Sequence, residues 1–182
     1  MENKIIMNFF IKAILIYLSI LCLIVSVSFL IHIAGILNDS TITAIGGLVF
    51  LAIYLFILII NVLFLIRKKA VKDFKLVLLY NFIFSLISGI GLRLPGFLLV
   101  NNLGADISIV YLNEKAGSNF FIHYDTFNFF VKFQTSNATE HVLGIQINLI
   151  MWAIGFFLIV CYKKFSKVSK MSDQQDLAST PL

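Results

Sequence analysis

The residues of this 182-residue chain whose types could support chemistry are few and scattered. His32, His123 and His141 together with Asp125 are zinc-ligand types, but their spacing follows no known zinc pattern. A histidine on a solvent-facing strand is the simpler expectation for His123. Cys22 and Cys161 are the two cysteines; they fall in different apolar stretches and at different expected depths. Neither a disulfide nor a cysteine-held metal is expected from them. GxSxG, HExxH and Walker A motifs do not occur, and Gly89-Ile90-Gly91 lacks both the third glycine and the preceding strand of a dinucleotide fingerprint. A haem held between helices needs axial ligands at depth, and only His32 falls within an apolar stretch. With no nucleophile–base pair in view, the chain is expected not to be an enzyme and to carry no cofactor or metal.

Polar groups inside apolar stretches are the second kind of candidate. Asn61 and Asn81 lie ten residues either side of Val71, so an antiparallel helix pair would bring them to one depth. An interhelical hydrogen bond there would act as structural glue, worth about 0.6–2 kcal/mol. Arg93 follows the third apolar stretch. It sits at the interface if the helix stops near Leu92, and at depth, needing a partner, if the helix runs past Pro95-Gly96. The Pro-Gly breaker favours the interfacial position. Ser19, Cys22 and Ser26 share one helical face, and Ser85 and Gly89 form a small-xxx-small pair flanked by Ser88 and Gly91. These faces are expected to meet other helices. In span four, Asn148, Trp152 and Gly155 share a face that is expected to point inward.

The elements that must position these groups are set by hydrophobicity. The chain is 60% hydrophobic and 13% charged, far from the roughly 45–50% and 25% of soluble domains. Uncharged runs cover 13–38, 40–66, 76–92 and 142–162, and about 20 apolar residues span a bilayer as a helix. The expected fold is an all-α integral membrane protein: four antiparallel transmembrane helices, at about 10–34, 42–66, 76–94 and 142–162. A small external segment, 101–141, is expected to hold a β-hairpin, and a tail over 163–182 to begin basic and end disordered. The first apolar run is too long for a signal peptide and reads as a retained anchor.

Charge orients the set. Lys4, Lys12, Arg67, Lys68, Lys69, Lys72, Lys75, Lys163, Lys164, Lys167 and Lys170 fall on one side, against Arg93, Lys115 and Lys132 on the other. The positive-inside rule then puts both termini in the cytoplasm of a multi-pass plasma (inner) membrane protein. The net charge of +5 is read as serving orientation and lipid headgroups rather than nucleic acid.

The external segment is not a polar loop. Residues 107–112 are apolar and β-branched, 113–119 carry turn chemistry, and 120–133 alternate. One face of that alternation would hold Phe121, His123, Asp125, Phe127, Phe129, Val131 and Phe133. An isolated hairpin is marginal in water, so it must pack on something. Phe121, Phe127, Phe129 and Phe133 are the expected partner contacts. The function expected is a non-catalytic membrane protein acting through protein–protein contact on its extracytoplasmic side, such as an immunity-type protein or an accessory membrane subunit. Its partners would be the bilayer and a membrane or extracytoplasmic protein, with no nucleic acid. The rival is a small oligomeric channel or carrier lined by Ser19, Ser26, Ser85 and Ser88.

Overall fold

The computed structural model describes the backbone of residues 2–34, 41–66, 71–95, 97–114, 117–135 and 143–178; within these, the side chains of 2–8, 41–43, 71–73, 101–103, 127–135 and 167–178 are not described. It corrects the all-α expectation. Four helices, α1 (Glu2–Ile31), α2 (Thr41–Ile66), α3 (Val71–Ser88) and α4 (Leu149–Ala178), are joined by a substantial antiparallel sheet of β1 (Ile90–Leu94), β2 (Phe97–Glu114), β3 (Gly117–Thr135) and β4 (Leu143–Asn148). The sheet is no small hairpin. The stretches expected to be the outer end of span three and the start of span four are strands β1 and β4. The tail expected to be disordered continues α4 as far as Ala178, through Lys, Gln and Met residues that favour helix.

Among the described residues, three helices carry stretches long and apolar enough to cross a membrane: Phe9–Ile31, Ala44–Ile66 and Leu149–Ser166. The apolar part of α3, Phe74–Ser88, is shorter. On α1, Ile11, Leu15, Leu18, Cys22 and Val25 are buried at alternating four- and three-residue steps, while Ile16, Ile20, Leu23, Val27 and Leu30 are exposed. A helix apolar on both its packed and its open side suits lipid rather than water. Rings set α2, α3 and α4 against one another: Tyr54 on Phe84, Phe56 on Tyr80, Phe64 on Phe74, and Phe74 on Phe165.

α3 ends where Gly89-Ile90-Gly91 replaces helix formers with residues that weaken helix and suit close approach. The Gly89 amide makes the last bond back to Ser85, and the Gly89 carbonyl accepts from the Asn148 amide instead of continuing the helix. Gly89 also has to be small, since a Cβ there would stand 2.7 Å from Trp152 Cδ1. Pro95 then lies in the tight connection of the β1–β2 hairpin, whose ladder closes at Leu94↔Phe97.

The strand order is β1-β4-β2-β3, and β1 also pairs with the start of β2. β1 and β4 therefore share one edge of β2, at Leu99–Phe97 and at Ser108–Asn113, and pair with each other through Ile90↔Ile147 to Arg93↔Gly144. Three strands close on themselves because β2 bends at Gly104, the point of register shift against β3. Gly104 has φ +71°, a left-handed conformation that glycine adopts freely. β2 and β3 form a long ladder from Phe97↔Thr135 to Glu114↔Gly117, leaving two residues at the tip in place of the seven-residue connection expected from composition.

Candidate functional site

Strand alternation brings one polar cluster together. On β2, Asp106 and Ser108 are fully buried while Ile107 between them is exposed. On β4, Gln146 and Asn148 alternate with Ile145 and Ile147, and the register sets Ser108 opposite Asn148 and Val110 opposite Gln146. Ser108 Oγ donates to Asp106 Oδ1. Gln146 Nε2 donates to Asp106 Oδ2 at 3.2 Å and to Ser108 Oγ at 3.1 Å. Each carboxylate oxygen thus accepts from a neutral donor. Gly91, across the β1–β4 pair, leaves the room that Gln146 needs: a Cβ on it would stand 3.1 Å from Gln146 Cβ.

Asn148 ties the cluster to the helices. Its Oδ1 accepts from the amides of Ile150 and Met151, both at 3.0 Å, which caps the start of α4. Its Nδ2 donates to the Ala105 carbonyl at 3.5 Å, and its own amide holds Gly89 at the end of α3. Tyr17 of α1 reaches the backbone of Ala105, and a Cβ on Gly104 would run into the Tyr17 hydroxyl. Tyr17 is eight residues into the apolar stretch that starts at Phe9 (17 against 9), about 12 Å along the axis. Asp106 therefore lies beside the middle of an apolar helix. The apolar runs themselves contain no acidic residue, and sequence reasoning placed Asp106 in an external loop.

The bonds of this cluster lock β2, β4 and the start of α4 to one another. The ladder also sets Ser108 opposite His123 and Asp106 opposite Asp125, which are the residue types of a hydrolytic triad, and the Ser108 hydroxyl donates its hydrogen bond to Asp106 Oδ1. Among the described residues no group of three or more His, Cys, Asp or Glu side chains is placed to hold a metal. His32 Nδ1 donates to the Ser28 carbonyl at 2.8 Å, and His141 lies outside the described residues.

The other sequence candidates are distributed as follows. Asn61 and Asn81 are brought together, fully buried, with both amides exchanging hydrogen bonds at 3.0 and 2.6 Å, and Asn81 Nδ2 also reaching the Val77 carbonyl at 2.8 Å. Arg93 is on β1, exposed, opposite Leu98 and Gly144. Phe121 is on β3 opposite Val110. Phe127, Phe129 and Phe133 are also β3 positions, whose side chains lie outside the described residues. The register slip between Gly104↔Asn128 and Asp106↔Asp125 inserts one residue into β3. A one-residue insertion exchanges strand faces, so the unbroken alternation expected over 120–133 is interrupted between 125 and 128. Ser19, Ser26, Ser85 and Ser88 are all buried; Ser19 and Ser88 bond back to the carbonyls of Leu15 and Phe84, while Ser26 Oγ, Ser85 Oγ and Trp152 Nε1 are buried without a hydrogen-bond partner. Cys22 and Cys161 are free and buried.

Sequence reasoning did not bring together Asp106, Ser108, Gln146, Gly104 and Tyr17, while Asn148, expected on an inward face of a helix, is buried on β4. The signal was present for all of these but Tyr17: polar and small residues at 104, 106 and 108 and at 144, 146 and 148 alternate with Leu, Ala and Ile. Comparison of the chain with protein-family models, with curated proteins and with solved structures gave no match.

Proposed function

We propose that this is a non-catalytic polytopic membrane protein that works by holding a protein partner on its extracytoplasmic side, as an immunity-type protein or an accessory subunit of a membrane complex. One observation carries the reading. β3 is the edge strand of the sheet among the described residues, and on its outer half Phe120, Ile122 and Tyr124 are 68–69% exposed. An edge strand with apolar side chains is a template for an added strand or an apolar partner surface. The buried cluster supports the same reading, since it fixes the sheet rigidly to the helices and a rigid platform loses little entropy on binding.

The test is co-purification of the full chain from its membrane, comparing the native protein with Ile122→Lys/Tyr124→Lys. Lysines on an exposed edge block strand addition and apolar contact, and these two side chains bury little, so folding is expected to be retained. A partner recovered with the native chain and lost from the variant is the expected result. An identical partner set from a folded variant would sink the proposal.

The second reading, a small oligomeric channel or carrier, draws on a different observation: the fully buried Asp106 beside the middle of α1. An acidic group at membrane depth is a functional candidate by default. Ion flux through liposomes holding the purified protein, lost in Asp106→Asn, is what that reading requires; silence from folded protein counts against it.

A further inference from the structure

We infer that β1 and β4 complete the membrane crossing that α3 and α4 begin, so that their outward face and that of the adjoining part of β2 lie against lipid acyl chains in the outer leaflet. The inference rests on the membrane reading above but not on the partner. Three observations carry it.

The first is length. The ring pairs Tyr54–Phe84 and Phe56–Tyr80 set α2 and α3 in antiparallel register, so that Ser88 is level with Phe50, and both residues line one apolar groove. The apolar stretch of α2 continues outward to Ala44, six residues further (50 against 44), or about 9 Å. α3 is short by that amount. Three strand residues at about 3.3 Å each restore it: Ile90, Gly91 and Leu92. The next residue is Arg93, which is exposed and would stand at the headgroup level.

The second is the sense of the alternation. One sheet face carries the small and polar residues of the buried cluster, Gly91, Gly144, Gln146, Asn148, Asp106 and Ser108, together with Val110, Leu112 and, at its outer end, Arg93. The other carries two apolar rows that cross β1, β4 and β2: Ile90↔Ile147↔Ile109 and Leu92↔Ile145↔Tyr111; the β3 residues beside them, Ile122 and Phe120, belong to the partner surface proposed above. Of the row residues, Ile145 and Tyr111 are exposed. Apolar outside and polar inside is the order of a sheet in lipid. Toward the hairpin tip the rows give way to Asn113 and Ser118, where the Tyr111 hydroxyl donates to Ser118 Oγ at 3.2 Å, as suits an interfacial tyrosine.

The third is the backbone. Lipid tolerates only chain whose amides and carbonyls are paired within the protein. β1 is paired along β2 and β4, β4 along β1 and β2, and β2 along β3 on its other side. The closed arrangement gives β1 and β4 a partner strand on each side.

The test uses the single tryptophan, Trp152. In a Trp152→Phe background, Ile145→Trp, Leu92→Trp, Ile53→Trp on the exposed side of α2, and Ser118→Trp near the tip are each reconstituted in phosphatidylcholine vesicles containing acyl-chain-brominated lipid. Emission at positions 145 and 92 is expected to fall by as large a fraction as at position 53, with little loss at 118. Acrylamide in the water is expected to quench only position 118. Acrylamide quenching at 145 and 92 with bromolipid quenching retained at 53 overturns the inference alone. Protection of 145 and 92 from both quenchers also overturns it, because protein then covers the face. Acrylamide quenching at 53 as well overturns the membrane reading on which it rests. Using two strand positions on different strands keeps the outcome readable if one substitution impairs folding.

Discussion

At the scale of single residues, the cost of burying polar atoms explains which of them are paired and predicts what removing one does. A buried donor left without its acceptor costs about 1–3 kcal/mol. Asp106→Leu leaves both Ser108 Oγ and Gln146 Nε2 without their carboxylate, so thermal unfolding in detergent should show a large loss of stability. Asp106→Asn keeps one acceptor oxygen and should lose less. Equal Tm values for the two variants would mean that the carboxylate is not the keystone of the cluster. The Asn61–Asn81 pair yields a sharper test because both side chains can be removed together. Asn61→Leu alone strands the Asn81 amide in an apolar helix pair; the expected loss is about 0.6–2 kcal/mol, the range for interhelical polar contacts in membranes. The Asn61→Leu/Asn81→Leu double variant removes both polar groups. It should therefore be more stable than the sum of the single losses implies. A double-mutant cycle of unfolding free energies with no coupling would contradict the observed reciprocal bond.

At the scale of elements, the pivotal feature is the bend of β2 against α1. Gly104 there meets two demands, a positive φ and the close approach of Tyr17. Gly104→Ala is expected to destabilise by more than the roughly 1–2 kcal/mol of a left-handed alanine, because its Cβ meets the Tyr17 hydroxyl. Adding Tyr17→Phe should recover part of that loss. Gly117 is the control: it also has positive φ, at +134°, but a Cβ there would meet nothing within 4 Å. Gly117→Ala should accordingly be indifferent to Tyr17→Phe, as read by unfolding midpoints of the four variants. The same bend shows what the sequence could and could not reveal. α1 and α2 were legible because their apolar stretches are long and unbroken. Asn61 and Asn81 were legible because a short connection forces two antiparallel helices into register. β4 was read as helix because Val142 to Tyr162 is uncharged throughout, and hydrophobicity over such a window does not separate six residues of strand from the start of a span. Only the alternation of Gly144, Gln146 and Asn148 with Leu143, Ile145 and Ile147 does so. That β1 and β4 would share one edge of β2 was not legible at all, since it depends on a non-local closure around a single glycine bend.

At the scale of the whole molecule, the helices and the sheet form one object with two unlike halves. α1 and α2 carry apolar stretches of 23 residues each, about 34 Å long. α3 and α4 are shorter there and pass directly into strands. The end of the β2–β3 ladder at Glu114↔Gly117 and the meeting ends of α2 and α3 at Ile66 and Val71 fall at opposite ends of this object, since α3 and β1 run outward in succession from the second toward the first. The basic residues are divided in the same way, with Arg67, Lys68, Lys69, Lys72 and Lys75 at one end and Lys115 near the other. In the topology we propose from the positive-inside rule the first end is cytoplasmic, and that calls for an experiment. With Cys22→Ala/Cys161→Ala as background, Lys115→Cys should react with a membrane-impermeant maleimide added to intact cells. Lys69→Cys should react only after the membrane is opened. Substituting one of the five basic residues between α2 and the middle of α3 leaves the bias strong, and both positions fall between elements in chain order. Labelling of Lys115→Cys from the cytoplasmic side alone would invert the molecule, and the partner surface on β3 would then face the cell interior. Labelling of both positions in intact cells would show that the chain does not separate two compartments there.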